Sequence, residues 1–207
     1  MIEFDYPLGA TPLDYDSLHL LIPKISIQAE LNDFEARNIA AAIQWAEKSS
    51  KLKNNLMSIA GLTLLHKRMF NFTWSWAGKF RKSNTNIGSP WELIQGELKA
   101  LCDDIRYQLE HQVYPLAELA VRFHHRLVLI HPFPNGNGRH ARLAADLLLR
   151  FNHQPQLVWG GKSLDANSNL RQHYITAMRQ ADKGDYAPLM EFCLKAGQSG
   201  KEKGPDC

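Results

Sequence analysis

The chain has 207 residues, 44% of them hydrophobic, and a formal net charge of +3. That length and apolar content suit one globular domain with small extensions. The slight positive balance is no footprint for nucleic acid, and no apolar run approaches the ~20 residues a membrane helix needs.

The N-terminal Met1-Ile2-Glu3-Phe4-Asp5 lacks the basic and apolar regions of a signal peptide. Cys102, Cys193 and Cys207 are far apart with no C-x-x-C pair, which suits a reducing cytoplasm better than a disulfide framework.

Residues 1–30 hold Pro7, Gly9, Pro12 and Pro23 and read as an irregular arm, with a short helix near Asp14 to Leu21. From Asn32 the period turns helical. Asn32-x-x-Glu35 has the form of a capping box, with Phe34, Asn38, Ala41, Ala42 and Trp45 on one face of a helix to about Lys48. A second helix is expected from Asn54 to about Phe70, with Ile59, Leu62, Leu65, His66 and Met69 at core spacing. Between Asn71 and Gly88 aromatics, Gly and Asn replace the helical period, and a short β-hairpin with Asn84-Thr85-Asn86 near its tip is expected. Ser89-Pro90-Trp91-Glu92 combines a capping serine, a proline at the first helical position and a reaching glutamate, starting a helix to about His111.

Pro115 marks the next start, and Leu116, Leu119, Ala120, Phe123, Leu127 and Ile130 follow the 3.6 period. This helix delivers His131 to a loop. Leu143, Leu147, Leu148 and Phe151 continue beyond it in a strongly apolar, central helix. After a connection at 152–165, helices from Asn169 to about Lys183 and from Tyr186 to Ala196 close the domain, with Gly184 as stop and Asp185 as cap. The tail 197–207 has no apolar anchor except Cys207 and is expected to be disordered. The sum is an all-α domain of residues 31–196 with one small hairpin.

The stretch that points to chemistry is His131-Pro132-Phe133-Pro134-Asn135-Gly136-Asn137-Gly138-Arg139-His140-Ala141-Arg142. Glycine permits the φ > 0 angles that turn successive N–H groups into a concave nest. A helix start just behind such a loop adds unpaired N–H donors and partial positive charge, which suits phosphate. Arg139 and Arg142 sit at i, i+3, so both guanidiniums can point to one anion. His131, entering the loop, can readily exchange a proton near neutral pH. The expectation is a polyphosphate cradle with a base on its rim. His124 and His125, being adjacent, point in different directions and read as structural. A metal-dependent hydrolase is disfavoured, since no H-E-x-x-H or comparable ligand spacing occurs.

This segment resembles the signature of Fic-domain proteins, H-P-F-x-(D/E)-G-N-G-R-x-x-R, with Asn135 at the acidic position. Trp76-Ala77-Gly78-Lys79-Phe80-Arg81 resembles the family's substrate-binding hairpin, and Ala181-Asp182-Lys183-Gly184-Asp185-Tyr186 its closing helices. Within that family, Ala29-Glu30-Leu31-Asn32 and Arg122-Phe123-His124-His125-Arg126-Leu127 resemble the group named mobile mystery protein B. The resemblance implies the Fic fold, a bundle of about seven to eight helices with a β-hairpin flap. It implies a protein adenylyltransferase moving AMP from ATP, with Mg²⁺, to a Ser, Thr or Tyr hydroxyl of a target protein in the cytoplasm. His131 would be the general base, and Asn137, Arg139 and Arg142 would complete the catalytic set. Phe133, Asn135, Gly136, Asn137, Gly138, Arg139 and Arg142 would form the nucleotide site, with Phe133 pinning the loop to the core.

Asn135 would hold the metal without a carboxylate's charge, raising the Mg²⁺ demand. The flap residues Lys79, Arg81, Lys82, Asn84, Asn86 and Ile87 would grip an extended target segment through main-chain bonds. Ser26 and Glu30 fit most of the family's inhibitory helix, (S/T)-x-x-x-E-(G/N), but Leu31 stands at its last position. The group resemblance also implies a companion helix-turn-helix protein. Other readings are transfer of UMP, phosphocholine or phosphate, or a catalytically weak nucleotide-binding regulatory module. Family kinases carry lysine where Gly138 stands, so glycine favours nucleotidyl transfer.

Overall fold

A computed structural model describes residues 19–25, 27–159 and 168–195. Eight α-helices lie within them: α1 Gln28–Lys48, α2 Ser50–Asn55, α3 Ile59–Phe70, α4 Ile94–Glu110, α5 Leu116–Ile130, α6 Asn137–Phe151, α7 Ser168–Ala181 and α8 Ala187–Lys195. Ser26, most of the expected helix at 14–21 and the tail 197–207 lie outside the described residues. No helix among those described is long and apolar enough to cross a membrane.

The core is built where the 3.6 period places it. α5 and α6 pack against each other, α4 packs on α5, and α3 is held between α1 and α6. Phe123 and Leu127 on α5 and Ala141, Ala144, Leu147 and Leu148 on α6 are buried. Each fully buried Leu or Phe contributes ~1.5–3 kcal/mol, so the two helices that flank the loop 131–136 are anchored along their lengths. Cys102 and Cys193 are buried free thiols, and burial pushes the Cys102 thiol up to about 11.

Several sequence expectations shift. α1 starts at Gln28, four residues before the expected Asn32 cap, and the Glu30 carboxylate takes the Ile27 N–H instead. The buried stripe of α1 is therefore Leu31, Glu35, Asn38, Ala42 and Ala46, while Phe34 and Ala41, expected on the packed face, are exposed. The expected helix from Asn54 is two helices, because Ser58 breaks the chain and caps α3 by accepting the Gly61 N–H at 3.0 Å. At residue 89 the serine hydroxyl donates to the Glu97 carboxylate rather than capping, and a 3₁₀ turn Trp91–Leu93 leads into α4. Gly184, at φ +90°, does end a helix, and Asp185 Oδ1 accepts the Ala187 N–H at 3.1 Å.

The β-hairpin flap does not form. The described residues contain one isolated antiparallel bridge, Leu21 with Trp74, between the arm and the turn after α3. Within 79–90, the Ser83 and Ser89 carbonyls accept from the Arg81 guanidinium, and Ile87 O accepts from Thr85 Oγ1. These carbonyls are thereby taken by side chains instead of a strand partner.

Candidate active site

The loop begins with an unusual backbone. His131, the C-cap of α5, lies in the left-handed region at φ +53°, which is uncommon for a side chain bearing a Cβ. Such a residue costs about 1–3 kcal/mol and persists only where its surroundings hold it. Arg81 supplies that hold. Its Nε donates to His131 O at 2.7 Å, and its Nη2 to Ile130 O at 3.3 Å and to Ser89 O. The Arg81 N–H donates to Pro132 O at 3.0 Å, and Ser89 N–H to Ile130 O at 3.3 Å. Arg81 is 4% exposed, so it braces the loop and is no surface grip for a target. The flap is thus pinned at Arg81 and Ser89. Lys79, Lys82, Asn84, Asn86 and Ile87 remain exposed, with Asn84 Oδ1 accepting the Trp91 N–H at 3.0 Å.

His131 itself is 4% exposed. Its Nδ1 is 3.3 Å from Val128 O, and a carbonyl can only accept, so Nδ1 carries the proton and Nε2 the lone pair in the neutral ring. Burial is the main reason its pKa falls to about 4, and the Arg81 charge adds to it against the Val128 hydrogen bond. The imidazole is therefore neutral at pH 7, as a base must be.

Two residues shape the rest of the loop. Asn137 is 2% exposed, and its side chain closes on the backbone of Phe133: Oδ1 accepts that N–H at 2.9 Å and Nδ2 donates to that C=O at 2.8 Å. It is a staple for the loop rather than a group aimed at a ligand. Phe133 is fully buried against His66, Phe80 and His140, as expected of a pin. Gly136 sits at φ +77°, and a Cβ there would lie 2.4 Å from Phe70 Cζ, so only glycine fits. A Cβ on Gly138 would meet nothing within 4 Å. The start of α6 therefore presents bare backbone, with the first N–H groups of the helix unmatched by carbonyls behind them. Asn135 Oδ1 accepts the Gly136 N–H at 2.6 Å.

The two motif arginines have different surroundings. Arg139 Nη1 is 2.6 Å from Glu35 Oε2, with its guanidinium 5.0 Å from the Phe70 ring centre. The Arg142 charge bears on His124, Asp146 and Tyr174, lowering the pKa of each. Glu35, unassigned in the sequence reading except as a cap, is therefore a member of the site. Its signal was present as an acidic residue in the buried stripe of α1. Glu30, the sequence candidate for an inhibitory contact, is exposed on the first turn of α1. Among the described residues no group of three or more His, Cys, Asp or Glu side chains is arranged to hold a metal ion.

The Fic/DOC family model matches residues 56–149, which run from the start of α3 through the loop and most of α6. The protein adenylyltransferase Fic of Aedes aegypti is 25% identical over 163 residues, covering 76% of this chain and 31% of that protein. The chain thus spans about a third of the length of that curated relative. The probable protein adenylyltransferase y4lH of Sinorhizobium fredii is 28% identical over 189 residues, covering 86% of this chain and 91% of that protein. Among solved structures, the BepC protein of Bartonella tribocorum with bound AMPPNP matches with a TM-score of 0.63 at 20% identity, over 89% of this chain and 91% of that one.

Proposed function

We propose that this chain, a member of the Fic/DOC family, is a protein adenylyltransferase that moves AMP from ATP to a hydroxyl side chain of a target protein. The observation that carries the reading is the bare α6 N-terminus at Gly138, next to a loop that holds a neutral imidazole. A triphosphate can approach such backbone closely, and the N–H groups and helix dipole favour its charge. The relatives named as adenylyltransferases and the neighbour with bound AMPPNP supply the donor class.

In this reading the hydroxyl oxygen of a target Ser, Thr or Tyr attacks the α-phosphorus. The bond from that phosphorus to the oxygen bridging to the β-phosphate breaks, and pyrophosphate leaves. The hydroxyl proton passes to His131 Nε2. Because His131 is nearly buried, the acceptor hydroxyl must be delivered directly to the edge of the ring. The run 82–87, exposed except at the half-buried Thr85 and pinned at Arg81 and Ser89, would guide it. Arg139 would exchange the Glu35 carboxylate for a phosphate oxygen, while Arg142 approaches from the α7 side.

Asn135 fits a metal only weakly, since its neutral amide oxygen already accepts the Gly136 N–H. Mg²⁺ would therefore arrive with the triphosphate and lessen its charge there, and no protein carboxylate at residue 135 holds it. The same cradle accommodates transfer of UMP, phosphocholine or phosphate, and separates from a purely regulatory nucleotide binder by outcome. Wild type and His131→Ala are incubated with α-labelled ATP and cell extract, and modified proteins are weighed by mass spectrometry. An AMP adduct made by wild type alone is expected. An adduct of another mass replaces the donor, and no adduct, or equal labelling by His131→Ala, removes the reading.

A further inference from the structure

His66, on α3, takes no part in the chemistry above and is fully buried. Its ring stacks on Phe133 with centroids 3.6 Å apart and planes 14° from parallel. The Gly78 N–H donates to its Nδ1 at 3.0 Å, and its Nε2 lies 3.0 Å from Asn135 O. An amide N–H can only donate, so Nδ1 must be the lone pair. A carbonyl can only accept, so Nε2 must carry the hydrogen. The two contacts together leave one neutral tautomer. Burial first, and then the nearby His140 and Arg139, hold the ring's pKa well below the ordinary 6.5.

These contacts end on the two working halves of the site. Gly78, at φ +76°, is the turn from which the flap departs toward Arg81. Asn135 O belongs to the peptide that enters the anion loop. In a trans peptide C=O and N–H point in opposite directions. Holding Asn135 O on His66 therefore turns the Gly136 N–H away from α3, where Asn135 Oδ1 receives it. Phe133, stacked on the same ring, fixes the loop's other shoulder.

We infer that His66 is a positioning residue that sets the flap and the phosphate loop in a single register, its Nδ1 serving the target side and its Nε2 the nucleotide side. The assignment of those two sides rests on the adenylyltransferase reading. The shared ring means that the two substrates are placed by one rigid element.

Two substitutions separate the nitrogens. His66→Asn puts an amide oxygen near the place of Nδ1 and keeps the Gly78 bond. His66→Gln puts an amide N–H near the place of Nε2 and keeps the Asn135 bond. ATP affinity is measured by calorimetry, and amide hydrogen exchange at Gly78 and Gly136 by NMR, on the full chain. For His66→Asn, about tenfold weaker ATP binding and faster Gly136 exchange are expected, with Gly78 unchanged. For His66→Gln, about tenfold faster Gly78 exchange is expected, with ATP affinity within about twofold of wild type. Both properties moving together in both variants, or neither moving, overturns the inference. Should the variants not fold, ¹⁵N spectra of the wild-type imidazole at pH 7 decide: a ring protonated on Nε2 alone is expected, and an Nδ1–H or imidazolium form overturns it. Wild type that binds no ATP removes the adenylyltransferase reading, while the tautomer and exchange results still judge His66.

Discussion

Glu35 Oε2 lies 2.6 Å from Arg139 Nη1, although 104 residues separate them, and Glu35 Oε1 accepts the Trp74 indole N–H at 2.7 Å. One carboxylate on α1 thus holds both the first arginine of the loop–helix motif and the aromatic turn after α3. Any anion that recruits Arg139 competes with Glu35.

Glu35→Gln removes that competition and keeps an oxygen for Trp74. Calorimetry should show ATP binding several-fold tighter than wild type, since a partly exposed pair of this kind is worth up to ~1 kcal/mol. Weaker binding would mean that Glu35 orients Arg139 for phosphate instead of withholding it. Glu35→Ala, which also strands the buried indole N–H, should lower stability by ~1–3 kcal/mol in urea titrations.

Arg81→Lys should be nearly as damaging as Arg81→Ala. A single ammonium cannot span carbonyls of Ser83, Ser89, Ile130 and His131 that a planar fork reaches together. A loss of ~2–4 kcal/mol is expected for either. Equal stability of the lysine variant and wild type would show that the left-handed His131 backbone holds without the fork.

The two loop glycines should respond oppositely to alanine. Gly136→Ala forces a Cβ against Phe70 at a positive φ and should destabilise the fold by at least ~2 kcal/mol. Gly138→Ala meets no neighbour and lies in the first turn of α6, so its melting temperature should equal or exceed wild type. A loss of ATP affinity in this variant, without loss of stability, would report close approach of phosphate to the backbone.

Asn135→Asp should lower the Mg²⁺ concentration needed for half-maximal transfer, because a carboxylate adds charge to a hard-cation ligand. An unchanged Mg²⁺ dependence would remove residue 135 from the metal's surroundings.

Acid should act on both activity and stability. His131 is the base in its neutral form, so kcat/KM should hold steady from pH 8 downward and fall only as pH approaches its folded pKa of about 4, not the ordinary 6.5. For stability, His131 and His140 at about 4 and His124 at about 3 stay neutral in the fold while the unfolded chain protonates near 6.5. The unfolded state thus binds more protons, and stability is lost as pH falls from about 6.5 towards 4. Asp146, raised to about 6 chiefly by burial, opposes this with one proton of the other sign. His66, whose pKa burial also holds well below 6.5, adds a fourth, and four histidines against one carboxylate leave a net loss of ~1.4 kcal/mol per pH unit for each uncompensated proton. Thermal melts at pH 7, 6 and 5 should fall in that order, and a flat series would contradict the buried neutral histidines.

The parts of this protein that were legible in its sequence are those fixed by near neighbours along the chain. Leu119, Phe123 and Leu127 announce α5 because a helix brings residues three and four apart onto one side. Gly184 and Asp185 stop one helix and begin the next through bonds spanning only a few residues. Asn135 to Gly138 look like an anion loop because glycine permits backbone angles that other residues resist.

What the tertiary structure alone decided are the partners of polar side chains. Glu35 reads locally as a cap, and Arg81 as one of the flap residues that would grip a target. Their fates depend on groups that packing brings to them: Arg139 and Trp74 for one, the end of α5 for the other. His66 reads as one more core position, yet each of its nitrogens finds a backbone group from a different segment. A hydrogen bond depends on distance and direction in space, whereas helical periodicity records only separation along the chain. The helices and the glycine loop could therefore be written from the sequence, and the braces that aim the loop could be seen only once the helices had closed around it.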